Sequence, residues 1–317
     1  MTHRETLDLA AANGCYTVAF TDHDILMTPA ILDDLKSSNH KTRWISGIEL
    51  STEMGHVIGI FVDPANPDLL AHTLRMKEER KKKALAMAGA LSALGFKVTA
   101  EEVLERAGEG NVTKPHLVEV VVSHAENLPL LETYIDKLRV ASETDEELRK
   151  EYTEAKDMSV KNGIGMYLYP LFLRSRAFIP GVHQDFSTEP SLEKGVELIH
   201  NSGGLAILAH WHTVKKNIPL DRLEKLLSED KLDGVETLWG LNLHDTGGEE
   251  EIKMDNKIVR ELVARLGKLP SASLDAHSPA DYALLGRSDA FAQETLGMVE
   301  KIIERSGVST KFSTIEV

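Results

Sequence analysis

A chain of 317 residues, 42% hydrophobic and 27% charged, can bury a sizeable core as one large α/β domain or two ordinary ones. Its net charge of −14 argues against a general nucleic-acid or membrane-surface binder, which would carry a basic face; a bound divalent ion could still invert the field locally for a phosphate. The single cysteine, Cys15, rules out an internal disulfide, and no apolar run approaches the roughly 20 residues of a membrane span, so a reducing, cytoplasmic setting is expected.

In chain order, a helix is predicted over 4–13, its stripe being Leu7, Leu9, Ala10 and Ala11. A strand at 16–20, a helix at 28–38 and a strand at 43–50 follow, and the extended run 55–62 is expected to pair with its predecessor. Residues 68–158 turn helical and highly charged. Glu78 and Glu79 interrupt the basic run RMKEERKKK, so it reads as a solvated helix face and not as a phosphate-gathering patch. After residue 190 the alternation resumes, with helices at 191–203, 219–229, 254–267 and 289–305 separating the strands GLAILAH, DGVETLW and LPSASLDAH. Strands spaced by helices indicate βα units around a parallel sheet or barrel. The expected organisation is a barrel from 1–67 and 191–317, interrupted by a helical insertion or lid domain at 68–190.

The strand ends are unexpectedly polar. Strand 16–20 runs into Asp22-His23-Asp24, strand 43–48 ends at Glu49, and the run after it begins with His56. GLAILAH ends at His210, DGVETLW carries Glu236, and the last strand ends at Asp275-Ala-His277. Carboxylates and imidazoles are costly at the end of an apolar strand unless solvated, paired or coordinated. In a parallel barrel the carboxyl ends of the strands form one face, where distant residues converge. Each residue alone has an ordinary structural reading, but His23, Glu49, His56, His210, Asp275 and His277 on one rim point to a metal site. Histidine and carboxylate without thiolate suit zinc, manganese or iron. His3 reads as a surface residue at a helix start and GEG at 108–110 as a turn. His212 is left open, and His124, His183, His200 and His244 are unassigned.

Taken in order, TDHD (21–24), GIELST (47–52), HVIGIF (56–61), KPH (114–116), GGLAILAH (203–210), DGVE (233–236) and DAH (275–277) resemble the PHP family, named for polymerase and histidinol phosphatase. The match is best to its stand-alone metal-dependent phosphoesterases, which include nucleoside bisphosphate phosphatases and 5′–3′ exoribonucleases. The resemblance implies an α/β fold, a distorted (β/α)7 TIM-like barrel with a helical insertion, and up to three divalent metals. Mn²⁺ is the first expectation, with Zn²⁺ or Fe²⁺ as alternatives. Glu49 would bridge two metals, one completed by His56 and His210 and the other served by Asp275. His23 and His277 would hold the third, Asp22 would orient a ligand or a water, and Lys114 with His116 would reach the substrate phosphate.

Three departures stand out. Lys114 replaces the usual Arg, which keeps the charge but loses the planar grip on phosphate. Trp211 stands where the family usually has Pro. The family's first strand, carrying HxH, does not precede the opening helix, and the expectation is that such a strand is encoded just upstream of Met1. The implied activity is hydrolysis of phosphomonoesters of nucleotides, or of the 5′ end of short RNA, by metal-activated water. The implied partner is that small phosphorylated substrate, with no membrane and no stable nucleic-acid complex, the oligomeric state being left open. The alternative is a non-hydrolytic, metal-binding PHP-like structural or interaction module.

Overall fold

The computed structural model describes residues 1–15, 17–37, 42–108, 110–184, 189–239, 249–273, 275–276, 279–282 and 289–306. The chain divides into two compact units, one formed by 1–73 with 189–317 and the other by 74–188. In chain order the first unit opens with α1 (His3–Ala12), β1 (Thr17–Phe20), α2 (Pro29–Ser37), β2 (Arg43–Thr52) and β3 (Gly55–Ile60), and α3 (Pro67–Ala93) leads into the second. The second unit continues with α4 (Ala100–Ala107), α5 (Lys114–Ser123), α6 (Leu128–Ser142) and α7 (Glu146–Asn162). The first unit then resumes with α8 (Leu192–Asn201), β4 (Leu205–Leu208), α9 (Trp211–Val214), α10 (Leu220–Ser228) and β5 (Gly234–Trp239). It ends with α11 (Glu249–Leu266), β6 (Leu269–Ser273), α12 (Pro279–Tyr282) and α13 (Asp289–Ser306).

Local chemistry sets the first helix. Thr2 accepts from the Glu5 amide while the Glu5 carboxylate accepts from the Thr2 amide at 2.7 Å, a capping box that satisfies two otherwise orphaned donors. The helix then buries Leu7 and Ala10, two of the four stripe residues.

The six strands among the described residues form one curled sheet, a half-barrel, in the order β1-β2-β3-β4-β5-β6. A wholly parallel sheet is not what forms: β3 runs antiparallel to both β2 and β4. The reason is the two-residue connection Glu53-Met54, too short for the crossover a parallel pair requires. Gly55 accepts that turn at φ 143°, a conformation reserved in practice for glycine. The reversal has a consequence for chemistry. It brings the start of β3 to the carboxyl end of β2, with Ser51 opposite His56.

The two faces of the sheet follow the period of two. On the outer face Ile48, Leu50, Val57, Leu208 and Val235 pack with Val196, Ile199, Leu223, Leu227, Val259 and Val263 of α8, α10 and α11. On the inner face Ile45, Ile60 and Ile207 form an aliphatic floor with Leu269 and Ile302. Each of these fully buried side chains contributes on the order of 1.5–3 kcal/mol. The inner parity of β2 continues from Ile45 to Glu49, and that of β3 runs back from Ile60 to His56. Polar donors therefore stand at the rim above an apolar floor.

The second unit is helical, with a core in which Phe172 packs edge-on against Phe96 and Tyr134, ring centroids 5.5 Å and 5.1 Å away. Buried Asn127 ties it together by accepting from the Lys97 amide at 2.6 Å and donating to the carbonyls of Lys97 and Val121 at 2.8 Å. No helix among the described residues is long and apolar enough to cross a membrane.

Candidate metal centre

The TDHD turn separates three polar groups into three roles. Past the end of β1 the parallel ladder continues, the Glu49 amide donating to the Asp22 carbonyl at 3.2 Å and the Asp24 amide to the Glu49 carbonyl at 2.9 Å. His23 is thereby held directly opposite Glu49. Asp24 adopts the left-handed region at φ 51° and is buried to 1% exposure. Its carboxylate accepts from both the amide and the hydroxyl of Ser51, at 2.9 and 2.8 Å, so it locks the turn to β2. Asp22 is half exposed, 3.6 Å from His3 Nε2. His3 is not a plain surface residue either, since its ring packs on Phe20 with centroids 4.6 Å apart.

Around Glu49 three other predicted residues come together. His56 Nδ1 lies 2.8 Å, His210 Nε2 3.3 Å and His23 Nε2 3.6 Å from its carboxylate oxygens. The His56 ring lies between the other two, 4.8 Å from His23 and 5.3 Å from His210. One donor atom each from His23, Glu49 and His56 falls within 4.8 Å of the others, a span that one ion can bridge. Burial alone would push the Glu49 carboxyl up. Hydrogen bonding from His210 and the close approach of the His56 and His23 rings outweigh it, holding the carboxyl well below the usual range. Burial pulls His210 down, but Glu49, Glu236 and Asp275 raise it on balance.

Whether these residues fit a cation is answered by His56. Its Nδ1 is buried and makes no hydrogen bond, although the Glu49 oxygen is 2.8 Å away. A buried ring nitrogen left in this way is costly, and a cation shared with the carboxylate would satisfy both atoms. The donor set fits a divalent ion.

His210 is held from two sides. Its backbone stands at φ 25°, outside the helical and extended regions. The Glu236 carboxylate accepts from its amide at 2.6 Å, and the Trp211 indole donates to the Ile218 carbonyl at 2.7 Å, pinning the turn that follows. Glu236 is 2% exposed, and burial first, then the charges of Glu49 and Asp275, push it up to about 7. Sequence reasoning marked Glu236 as a strand carboxylate but gave it no task. The signal was its inner-face parity, two residues on from Gly234.

Of the other predicted residues, Asp275 follows β6 at φ 49°, its amide donating to Ser273 Oγ at 2.8 Å, and its charge acts on both His210 and Glu236. His277 lies outside the described residues, as does His244. Lys114 and His116 belong to the second unit, at the start of α5. There His116 Nδ1 accepts from the Thr113 amide at 3.1 Å and caps the helix. His212, left open by the sequence, pairs with Asp255 at 2.6 Å, and Lys215 lies 2.6 Å from both Asp255 and Glu251. This group could also be read as a set of metal donors, but Lys215 already supplies its cation. His200 pairs with Asp233, His124 with Glu102, and His183 with the Leu173 carbonyl.

The curled sheet with its surrounding helices is consistent with a PHP-type barrel. No protein-family profile matches the chain. Among characterised proteins it is 22% identical over 307 residues to a 5′–3′ exoribonuclease of Haemophilus influenzae, covering 94% of this chain and 92% of that one. It is 31% identical over 101 residues to a 3′,5′-nucleoside bisphosphate phosphatase of Chromobacterium violaceum, covering 30% of this chain and 35% of that one. A solved structure from Bifidobacterium adolescentis, assigned as a metal-dependent phosphoesterase, superposes with a TM-score of 0.62 at 16% identity, covering 96% and 91% of the two chains. An amidohydrolase from Chromobacterium violaceum, whose structure contains sulfate and no metal, gives 0.56 at 21% identity, covering 87% and 82%. These likenesses show the fold and bear out the resemblance carried by the ordered motifs.

Proposed function

We propose that the chain is a metal-dependent phosphoesterase acting on phosphomonoesters of nucleotides or on the 5′ end of short RNA. The observation that carries this reading is the convergence of His23, Glu49, His56 and His210 on one point of the rim. Full-length similarity to an exoribonuclease, and local similarity to a bisphosphate phosphatase, support the substrate class. In this reading Glu49, His56 and His210 would hold one ion, Asp275 would serve a second beside Glu49, and His23 with His277 would hold a third. Mn²⁺ is the ion we favour on the family resemblance, and the imidazole donors would suit Zn²⁺ or Fe²⁺ as well.

Bound there, a divalent ion lowers the pKa of a coordinated water and offsets charge on the phosphoryl oxygens. The chain's own residues do the rest. Glu49 stays ionised because the histidines hold it so, and it fixes the donors in register. Asp22, at the rim beside His23, orients a ligand or water. Lys114 and His116 are assigned to the substrate phosphate, Lys114 as a point charge without arginine's bidentate geometry. A protein of net charge −14 needs such local positive groups to admit an anionic substrate.

The deciding experiment is an assay of the purified, Mn²⁺-loaded protein against nucleotides, 3′,5′-bisphosphates and short 5′-phosphorylated RNA, alongside metal analysis. Turnover of one of these with two or three bound ions is expected. One tightly bound ion and no turnover of any substrate would replace the enzyme with a non-hydrolytic module.

A further inference from the structure

The chain leaves β4 gripped by both flanking strands. The β4–β5 ladder pairs Ile207 with Gly234 and Leu208 with Val235, and it ends there. The next amide, that of Ala209, donates to the His56 carbonyl of β3 at 3.1 Å. The amide of His210 has left the ladder and still needs an acceptor. Glu236, one residue beyond Val235 on β5, supplies it, its side-chain Oε2 standing 2.6 Å from the His210 nitrogen. Glu236 is a fully enclosed carboxyl group, and burying one is costly unless it is used.

His210 needs such a hold. At φ 25° and ψ 60° it lies toward the left-handed region, which a residue with a side chain keeps only when its surroundings over-determine it. In this conformation its Nε2 comes 3.3 Å from the Glu49 carboxylate. Relaxing the backbone to an ordinary φ would swing the ring away. The grip does not depend on charge, since an amide only donates and a carboxyl group keeps an accepting oxygen with or without a proton.

We propose that Glu236 is a positioning residue: by accepting from the His210 amide it holds that residue in its unusual backbone conformation and so aims the imidazole at the metal centre. The proposal rests on the metal-site reading above, and it gives Glu236 no contact with an ion or with substrate. The accepting oxygen and its reach matter, and the negative charge does not. Outer partners of ligating histidines commonly change metal affinity by about 10–100-fold.

The test compares wild type, Glu236→Gln and Glu236→Met as full chains, with Mn²⁺ alone as the probe. Glu236→Gln loses the charge but keeps an acceptor of the same reach, and its affinity should stay within about threefold of wild type. Glu236→Met keeps the length without a strong acceptor, and its affinity should fall about 10–100-fold. Should Glu236→Met not fold, Glu236→Asp replaces it: the charge stays, the oxygen is withdrawn by one methylene, and the same loss is expected. Proton–nitrogen NMR of metal-free, histidine-labelled protein reads the bond itself, the His210 amide being assigned by its loss in His210→Asn. That amide should resonate downfield in wild type and Glu236→Gln and move upfield in Glu236→Met. Wild-type affinity in Glu236→Met, an equal loss in Glu236→Gln, or an amide signal that Glu236→Met leaves in place overturns the proposal. Should wild type bind no Mn²⁺ at all, the metal-site reading fails instead, and the amide signal still decides whether Glu236 holds the turn.

Discussion

Glu49 is the residue around which the centre is organised. It is 7% exposed yet held ionised by three histidines, and this is stable only while their positive charge or a cation faces it. Replacing it by Gln keeps the volume and removes the charge. Glu49→Gln should lose at least about tenfold in Mn²⁺ affinity, together with most phosphoesterase activity, while the circular dichroism spectrum stays as in wild type. Mn²⁺ retained at wild-type affinity would count heavily against the assignment. Glu236 makes a second prediction, with a sign that follows from its pKa. The folded value is raised from 4.5 to about 7, so in that window the folded protein keeps a proton that the unfolded chain releases. Stability of the metal-free protein therefore falls as pH rises through the window. In Glu236→Gln that part of the slope should vanish, which thermal melts on either side of the window would detect.

At the scale of elements, the connections between strands decide what the strand ends can do. Asp233, just before β5, accepts from the Ala206 amide at 2.8 Å and from His200 Nε2 at 2.8 Å, joining β4 and α8 to the start of β5. Burial would raise its carboxyl, but His200 and the Ala206 amide hold it below its usual value. Its contribution is thus present above about 3.8 and lost as pH falls through the depressed folded value. Asp233→Ala should cost about 2–3 kcal/mol by urea denaturation at neutral pH, the charged hydrogen bonds being lost with a buried amide left unpaired. A loss within experimental error would show that water substitutes freely there. The strands were legible from apolar runs punctuated by Gly and acids, and the rim donors from their positions at strand ends. The division of labour within TDHD was not. Asp24 turns inward because Ser51, far along the chain, offers it an amide and a hydroxyl, and no local pattern announces that pairing. The reversal of β3 was half legible. Pairing with β2 was expected, but the reversed strand was absorbed into a parallel scheme, although the short turn already required the reversal.

At the scale of the whole molecule, the donors His23, Glu49, His56 and His210 all belong to the unit formed by 1–73 and 189–317, while α4–α7 fold around their own aromatic core. Packing in the first unit explains why a metal centre there is affordable at all. Gly47 lets β2 approach its neighbours so closely that a Cβ would lie 2.8 Å from the Gly59 carbonyl and from the Thr21 methyl, and the floor beneath is built from aliphatic side chains that include no metal donor. The metal should therefore add stability to a fold that already exists, in contrast to a zinc finger, which needs its ion to fold. An ion that binds only the folded state adds RT ln(1 + [L]/Kd), about 2.7 kcal/mol at a hundredfold excess over Kd. That increment belongs to the elements that supply the donors. Hydrogen exchange with and without Mn²⁺ should show added protection in β2, β3 and the segment from β4 into α9, and no change in α4–α7. Chelation should return the first pattern to its metal-free level without unfolding the chain. Equal protection across both units would mean that the ion binds elsewhere or that the two units unfold as one. Loss of the sheet's protection on chelation would mean that the apolar floor cannot hold the half-barrel by itself.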